Sequence, residues 1–467
     1  MAPPLLLLLL LFPPLLLSSS PALSAVTVTH LPGFNGPLPF RLETGYVSVD
    51  EVNGVELFYY LIESERDPKA DPLILWLNGG PGCSAFSGLA FEIGPLKFVT
   101  AKYDGRLPSL AYHRYGWTKI ANIIFLDSPV GTGFSFSRNP KGYVVDDTIV
   151  SKRTYEFLRK WLVEHPRFIS NHLYIAGDSY GGKIVPILTS IVANGIEDGH
   201  HPLMNLKGYL VGNPRTGELI DYNSRVAFAH AMGIISDELY EAIHGYCGGE
   251  DYINPNPLNL RCISALDKFE TFRAELEKNY ILDPKCPAAS PQRKKMSGDR
   301  YLQEKHSDIL LPPAVVPGLE CRSYAYFLSY YWANDYNIRE DLHVKKGTVE
   351  EWVRCNNSLA YSENVQSSLG HHLNVTMKGY KALVYSGDHD MAVPFIGTQA
   401  WIRSLNYSIV DDWRSWHVDG QVAGYTRKYS HNLTFAIVKQ NAGHTAPEYQ
   451  PKNCLIMIDR WISHESL

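Results

Sequence analysis

Gly177-Asp178-Ser179-Tyr180-Gly181 places a serine in a Gly-x-Ser-x-Gly pattern. Such a serine can serve as a nucleophile where the chain bends so sharply that only small flanking residues fit and the hydroxyl is left exposed. A hydroxyl becomes reactive only when a base takes its proton, and the base needs a carboxylate to orient it. Downstream, Ser386-Gly387-Asp388-His389-Asp390 offers two carboxylates, and Gln440-Asn441-Ala442-Gly443-His444 offers an imidazole. The chemistry this set can perform is acyl transfer through a serine ester. On pattern alone Asp388 and Asp390 are equivalent as the acid. His389 is expected to be structural, because it points away if Asp390 points inward. The pairs His200-His201 and His371-His372 lack metal-ligand spacing and sit among polar residues. They are expected to be exposed loop histidines, and neither a metal nor a cofactor is expected.

Short apolar runs must position these residues. They lie at 73–77, 120–126, 172–176, 206–211, 381–385 and 434–438. Continuous runs of this length suit strands buried on both faces. Helical spacing appears at 147–164, where Tyr155, Leu158 and Leu162 share a face with Phe157 and Trp161 beside them, and again at 183–193. This alternation predicts a mostly parallel α/β sheet. Ser179, the Asp388/Asp390 pair and His444 each follow a strand run, in the order Ser, Asp, His of the α/β-hydrolase fold. One oxyanion donor is then expected at the N–H of Tyr180. The other is expected in the glycine-rich loop 78–84, directly after the run 73–77.

Residues from about 214 to 345 break the alternation and read as a helical cap insertion. Within it, about 287–320 is low in order signals and carries Arg293-Lys294-Lys295, the composition of a loop open to proteolytic nicking.

The chain has 467 residues, 45% hydrophobic and 19% charged, with a formal net charge of −5. That is enough apolar material for a large core, and the charge argues against a nucleic-acid partner. A leucine run at 5–17, broken by Phe12, Pro13 and Pro14, precedes small residues up to Ser24. It is too short and too interrupted to span a bilayer, and residues 1–24 read as a secretory signal peptide. Residues 25–467 then form a single catalytic domain without stable membrane insertion, destined for the extracellular space or the vacuole. Seven cysteines, none in Cys-x-x-Cys spacing, suit an oxidising lumen with three disulfides and one thiol. Sequons at Asn356, Asn374, Asn406 and Asn432 fit the same route.

The stretches 76–84 (WLNGGPGCS), 91–95 (FEIGP), 126–135 (LDSPVGTGFS), 177–182 (GDSYGG), 385–390 (YSGDHD) and 441–444 (NAGH) together resemble the serine carboxypeptidase-like family. The resemblance implies Asp390 as the acid beside Ser179 and His444. It implies oxyanion donors at Gly80 and Tyr180, and a terminal-carboxylate site at Asn78, Gly79, Glu92 and Asp178. It implies disulfides Cys83–Cys355, Cys247–Cys262 and Cys286–Cys321, leaving Cys454 as the thiol. It also implies an excised linker, with two chains held by a disulfide. Peptidase members carry glutamate where this chain has Asp178. That shorter carboxyl, together with 129–134 (PVGTGF), resembles the plant branch that includes acyltransferases using 1-O-acyl-glucose esters. Asn78 instead resembles the peptidases. The expectation is therefore an acyltransferase acting on a small-molecule ester. A serine-type carboxypeptidase that releases C-terminal amino acids from peptides at acid pH is the alternative.

Overall fold

The computed structural model describes residues 25–287 and 316–467. The expected signal peptide, and residues 288–315 of the expected linker, lie outside the described residues.

One twisted sheet organises the molecule. Its main strands are β1 (Val26–Val28), β2 (Leu42–Asp50), β3 (Val55–Ile62), β4 (Leu73–Leu77), β5 (Asn122–Leu126), β6 (Leu173–Asp178), β7 (Leu206–Gly212), β8 (Lys381–Gly387), β9 (Ile409–Val418), β10 (Gln421–Tyr429) and β11 (Leu433–Val438). Their spatial order is β1-β2-β3-β5-β4-β6-β7-β8-β11-β10-β9. The six strands from β5 to β11 run parallel, and antiparallel strands extend both edges. Every residue of β4, β5, β6 and β11 is buried, which is why these strands read as unbroken apolar runs. The run at 120–126 begins as a strand only at Asn122, because Trp117–Lys119 forms a 3₁₀ turn.

Helices cover both faces. On one, α1 (Asp147–Glu164) starts at Asp146, whose carboxylate accepts from the Ile149 N–H at 2.7 Å. It buries Phe157, Leu158, Trp161 and Leu162 against the sheet, beside α2 (Gly181–Glu197). Truncating a side chain as well buried as Trp161 to alanine costs about 3–5 kcal/mol. The segment between β7 and β8 carries α3 (Ile220–Ala231), α4 (Asp237–Cys247) and α5 (Leu260–Ala274). Those three build a small core of their own from Phe228, Ile243, Leu266 and Phe269, tied by Cys247–Cys262. By contrast α6 (Ser323–Asn334) belongs to the main body, where Trp332 stacks on Phe86 at 5.0 Å. Among the described residues no helix is long and apolar enough to cross a membrane.

One expectation about histidines is corrected. His371 and His372 lie on the helix Leu369–Met377, and His372 is fully buried. Its Nδ1 meets the Tyr209 hydroxyl at 2.6 Å and its ring packs on Trp401. Burial drives its pKa down to about 3, so it is a neutral core residue. His200 and His201 are exposed.

Candidate active site

β6 ends at Asp178 and α2 begins at Gly181, so Ser179 occupies the turn between strand and helix with φ at +53°. A serine in the left-handed region is strained and is held there by its surroundings. Its N–H donates to the Gly212 carbonyl at 2.9 Å, and its carbonyl accepts from the Gly182 and Arg215 N–H groups, each at 2.9 Å. The turn is packed so closely against the end of β4 that a Cβ on Gly177 would lie 2.4 Å from the Leu77 carbonyl oxygen. One on Gly79 would lie 2.6 Å from Ser179 Cβ and 2.9 Å from the Tyr180 nitrogen. The glycines of both loops are therefore steric requirements.

Asp390 and His444 lie just past β8 and β11. His444 Nδ1 is 2.8 Å from Asp390 Oδ2. Asp390 is fully buried and also accepts from Asn213 Nδ2 at 2.7 Å, from the Ala392 N–H at 2.7 Å and from the Val393 N–H. Burial works against the imidazolium, but the charge and hydrogen bond of Asp390 hold the His444 pKa above its ordinary value. The two candidate acids separate here. Asp388 turns away, accepting from the Ala442 N–H at 2.8 Å and meeting His389 Nδ1 at 2.7 Å. Ser179 and His444 line one cavity of about 490 Å³, together with Gly79, Gly80, Asn78, Glu92 and Asp178.

The last three form a network of their own. Asn78 Oδ1 accepts from Trp76 Nε1 and the Gly88 N–H, which fixes the amide so that Nδ2 donates to both Glu92 oxygens at 2.9 Å. Asp178 Oδ1 accepts from the Gly79 N–H at 3.0 Å. Burial pushes Glu92 well above the usual carboxyl range, and the Asp178 charge pushes the same way. Burial raises Asp178 to about 6, against the pull of His444 and the Gly79 N–H. Two carboxyls in one dry site cannot both ionise cheaply.

Several lining residues escaped the sequence reading. The Arg354 guanidinium lies 4.1 Å from the Tyr326 ring centre and that of Arg322 lies 3.9 Å from Tyr449. Tyr326 donates to Glu448, and the Asn279 carbonyl accepts from the His444 N–H at 2.6 Å. The available signal was that Arg322 and Arg354 directly adjoin Cys321 and Cys355. Disulfides Cys83–Cys355, Cys247–Cys262 and Cys286–Cys321 are formed, and Cys454 is a buried free thiol. Of the sequon asparagines, Asn374, Asn406 and Asn432 are exposed. Asn356 is half-buried, with Nδ2 donating to the Gly131 carbonyl.

A family model described as serine carboxypeptidase matches residues 32–464. Serine carboxypeptidase-like 17 of Arabidopsis thaliana is 47% identical over 444 residues, 95% of this chain and 94% of its own. Serine carboxypeptidase-like 1 of the same plant is 48% identical, with the same coverage. Among solved structures, a prohormone-processing carboxypeptidase of Saccharomyces cerevisiae, Kex1Δp, superposes with a TM-score of 0.71. It is 20% identical, over 94% of this chain and 95% of that one. The chain thus has the α/β-hydrolase fold and belongs to the serine carboxypeptidase family of hydrolases.

Proposed function

We propose that this protein is an acyltransferase that takes the acyl group of a 1-O-acyl-glucose ester onto Ser179 and passes it to an alcohol or amine. His444, oriented by Asp390, takes the Ser179 proton as Oγ attacks the ester carbonyl. The N–H groups of Gly80 and Tyr180 hold the resulting oxyanion. Collapse breaks the bond to glucose, and His444 returns the proton to the departing oxygen. The acceptor then attacks the acyl-serine as His444 takes its proton, and collapse breaks the bond between the acyl carbon and Ser179 Oγ as His444 returns the proton to Oγ.

The observation that carries the transferase reading is the hydrogen bond from the Gly79 N–H to Asp178. The family resemblance implies that N–H as part of a site for a peptide's terminal carboxylate. Here the short Asp178 side chain folds back and occupies it. Glu92 is likewise taken up by Asn78. Around Ser179 the cavity then offers Asn78, Glu92 and Asp178 as hydrogen-bonding groups already partnered within the protein, which suit a hydroxyl-rich leaving group, while Arg322 and Arg354 line the same cavity. The burial-raised carboxyls favour the second reading, a carboxypeptidase, since neutral carboxyls at acid pH can donate to a carboxylate.

Purified protein offered acylglucoses with alcohol and amine acceptors, and separately N-blocked dipeptides at acid pH, separates the two. Acceptor-dependent ester or amide formation is expected. Release of C-terminal amino acids without acceptor dependence overturns the transferase reading in favour of the peptidase.

The disulfides and relatives are consistent with a secretory-pathway protein, and we place it in the vacuole or the extracellular space with glycans on its sequons. The Cys286–Cys321 bond brackets residues 288–315. Excision there leaves two chains joined covalently.

A further inference from the structure

Behind Tyr180 lies a buried polar cluster that the acyl-transfer steps do not use. The Tyr180 side chain is 2% exposed, and its hydroxyl donates to Asp147 Oδ1 at 2.6 Å. The same oxygen accepts from the Tyr361 hydroxyl at 2.6 Å, and Asp147 Oδ2 accepts from the Val365 N–H at 3.0 Å. Lys183 Nζ, also buried, faces Asp147 at 3.5 Å and donates to Glu363 at 3.0 Å. Glu363 takes two further bonds from Arg215, whose N–H holds the Ser179 carbonyl. Lys183 stands in the first turn of α2, where the helix dipole disfavours a cation, so Asp147 and Glu363 are what keep it there.

Tyr361 and Val365, which hold the Asp147 carboxylate that Tyr180 bonds, and Glu363, which holds Lys183 and Arg215, follow Cys355 closely in the chain. Cys355 is bonded to Cys83, and the Asn356 N–H donates to the Gly82 carbonyl at 2.8 Å. The Ser84 N–H donates to the Arg354 carbonyl at 2.7 Å. One short segment is therefore fastened to the loop that carries Gly80 and, through Asp147, to the residue after Ser179.

We propose that residues 355–365 form a strap that sets the spacing of the two oxyanion donors, with Asp147 and Tyr361 as positioning residues for Tyr180. The inference rests on reading Ser179 as the nucleophile and the Tyr180 N–H as an oxyanion donor. A buried carboxylate with several donors and a cation around it has one low-energy arrangement. An oxyanion site gains its advantage from donors already in place before charge develops. The strap uses the first property to supply the second.

The test uses two probes that need no knowledge of the natural substrate. A fluorophosphonate reacts as Ser179 Oγ bonds to phosphorus, fluoride leaves and His444 takes the proton. p-Nitrophenyl butyrate reports kcat and KM separately. Tyr361→Phe removes one donor and keeps the ring. It is expected to slow phosphonylation and kcat about tenfold, the scale of one hydrogen bond to a charged group, with KM within about twofold. Asp147→Asn is expected to cost about a hundredfold. If Asp147→Asn does not fold, Tyr361→Phe carries the test. A Tyr361→Phe protein that melts earlier but keeps both rates overturns the strap alone. Failure of the unsubstituted protein to label at Ser179 overturns the nucleophile reading and the strap with it.

Discussion

Two sets of buried carboxyl groups stand at the candidate site, Asp390 behind His444 and Glu92 with Asp178 on the cavity wall, and they are treated in opposite ways. Asp390 is met by His444, Asn213 and the N–H groups of Ala392 and Val393, so its negative charge is matched from several sides. Glu92 and Asp178, equally removed from water, receive fewer donors and repel one another, and burial raises both. A carboxylate surrounded by donors can support a positive imidazolium; a carboxyl short of donors serves better as a neutral hydrogen-bonding group. Under the proposed function, the difference separates the carboxylate that supports His444 from the carboxyls that meet the leaving group.

The sharpest way to break this contrast is to neutralise one member of each set. Asp390→Asn is expected to lower kcat about 10⁴-fold with KM little changed, because the amide favours the wrong tautomer of His444. Asp178→Asn is expected to act mainly on KM for the donor. Steady-state kinetics on both variants decides, and equal losses of kcat would erase the distinction.

A smaller effect is expected from Gly79→Ala, whose new Cβ would press on Ser179 Cβ and the Tyr180 nitrogen. If Ser179 is the nucleophile proposed above, displacing it by about 1 Å costs on the order of 100-fold in kcat. Labelling of Ser179 by a fluorophosphonate should slow in parallel.

Smaller again is the change expected for Asp178→Glu. The longer side chain can leave the Gly79 N–H and reach into the cavity, so the ratio of peptidase to transferase kcat/KM should rise about tenfold. No change in that ratio would remove the significance attached to the Gly79–Asp178 bond.

The smallest effect concerns stability. Glu92 holds its proton in the folded state to higher pH than in the unfolded chain. The folded protein thus binds more protons across that window, and stability falls as pH rises from the unfolded carboxyl pKa, about 4. Glu92→Gln removes this loss. It should raise Tm by a few degrees at pH 7 relative to its effect at pH 4, as measured by calorimetry.

Much of the fold was legible because parallel strands buried on both faces leave continuous apolar runs, and those six runs form the centre of the sheet. The hairpin β9–β10 was not legible. Its first strand carries Asp411, Asp412 and Arg414, which interrupt any apolar run. The site showed a similar division. Chain order and strand ends single out Ser179 and His444 as candidates, since those constraints are local. The choice between Asp388 and Asp390 depends on how the loop after β8 turns against Asn213 and Ala442, residues distant in sequence. His372 was misread because its partner, Tyr209, sits on β7, far away in sequence. Arg322 and Arg354 reach the cavity from a segment whose course over the sheet leaves no periodic trace.

The most direct measurement of the central claim is mass spectrometry of the protein mixed with a 1-O-acyl-glucose. A Ser179 peptide carrying the acyl mass is expected within the first turnover, and addition of an acceptor should discharge it with formation of the acylated acceptor. A protein that processes the ester without ever carrying the acyl group on Ser179, or that yields only free acid whatever the acceptor, would contradict it.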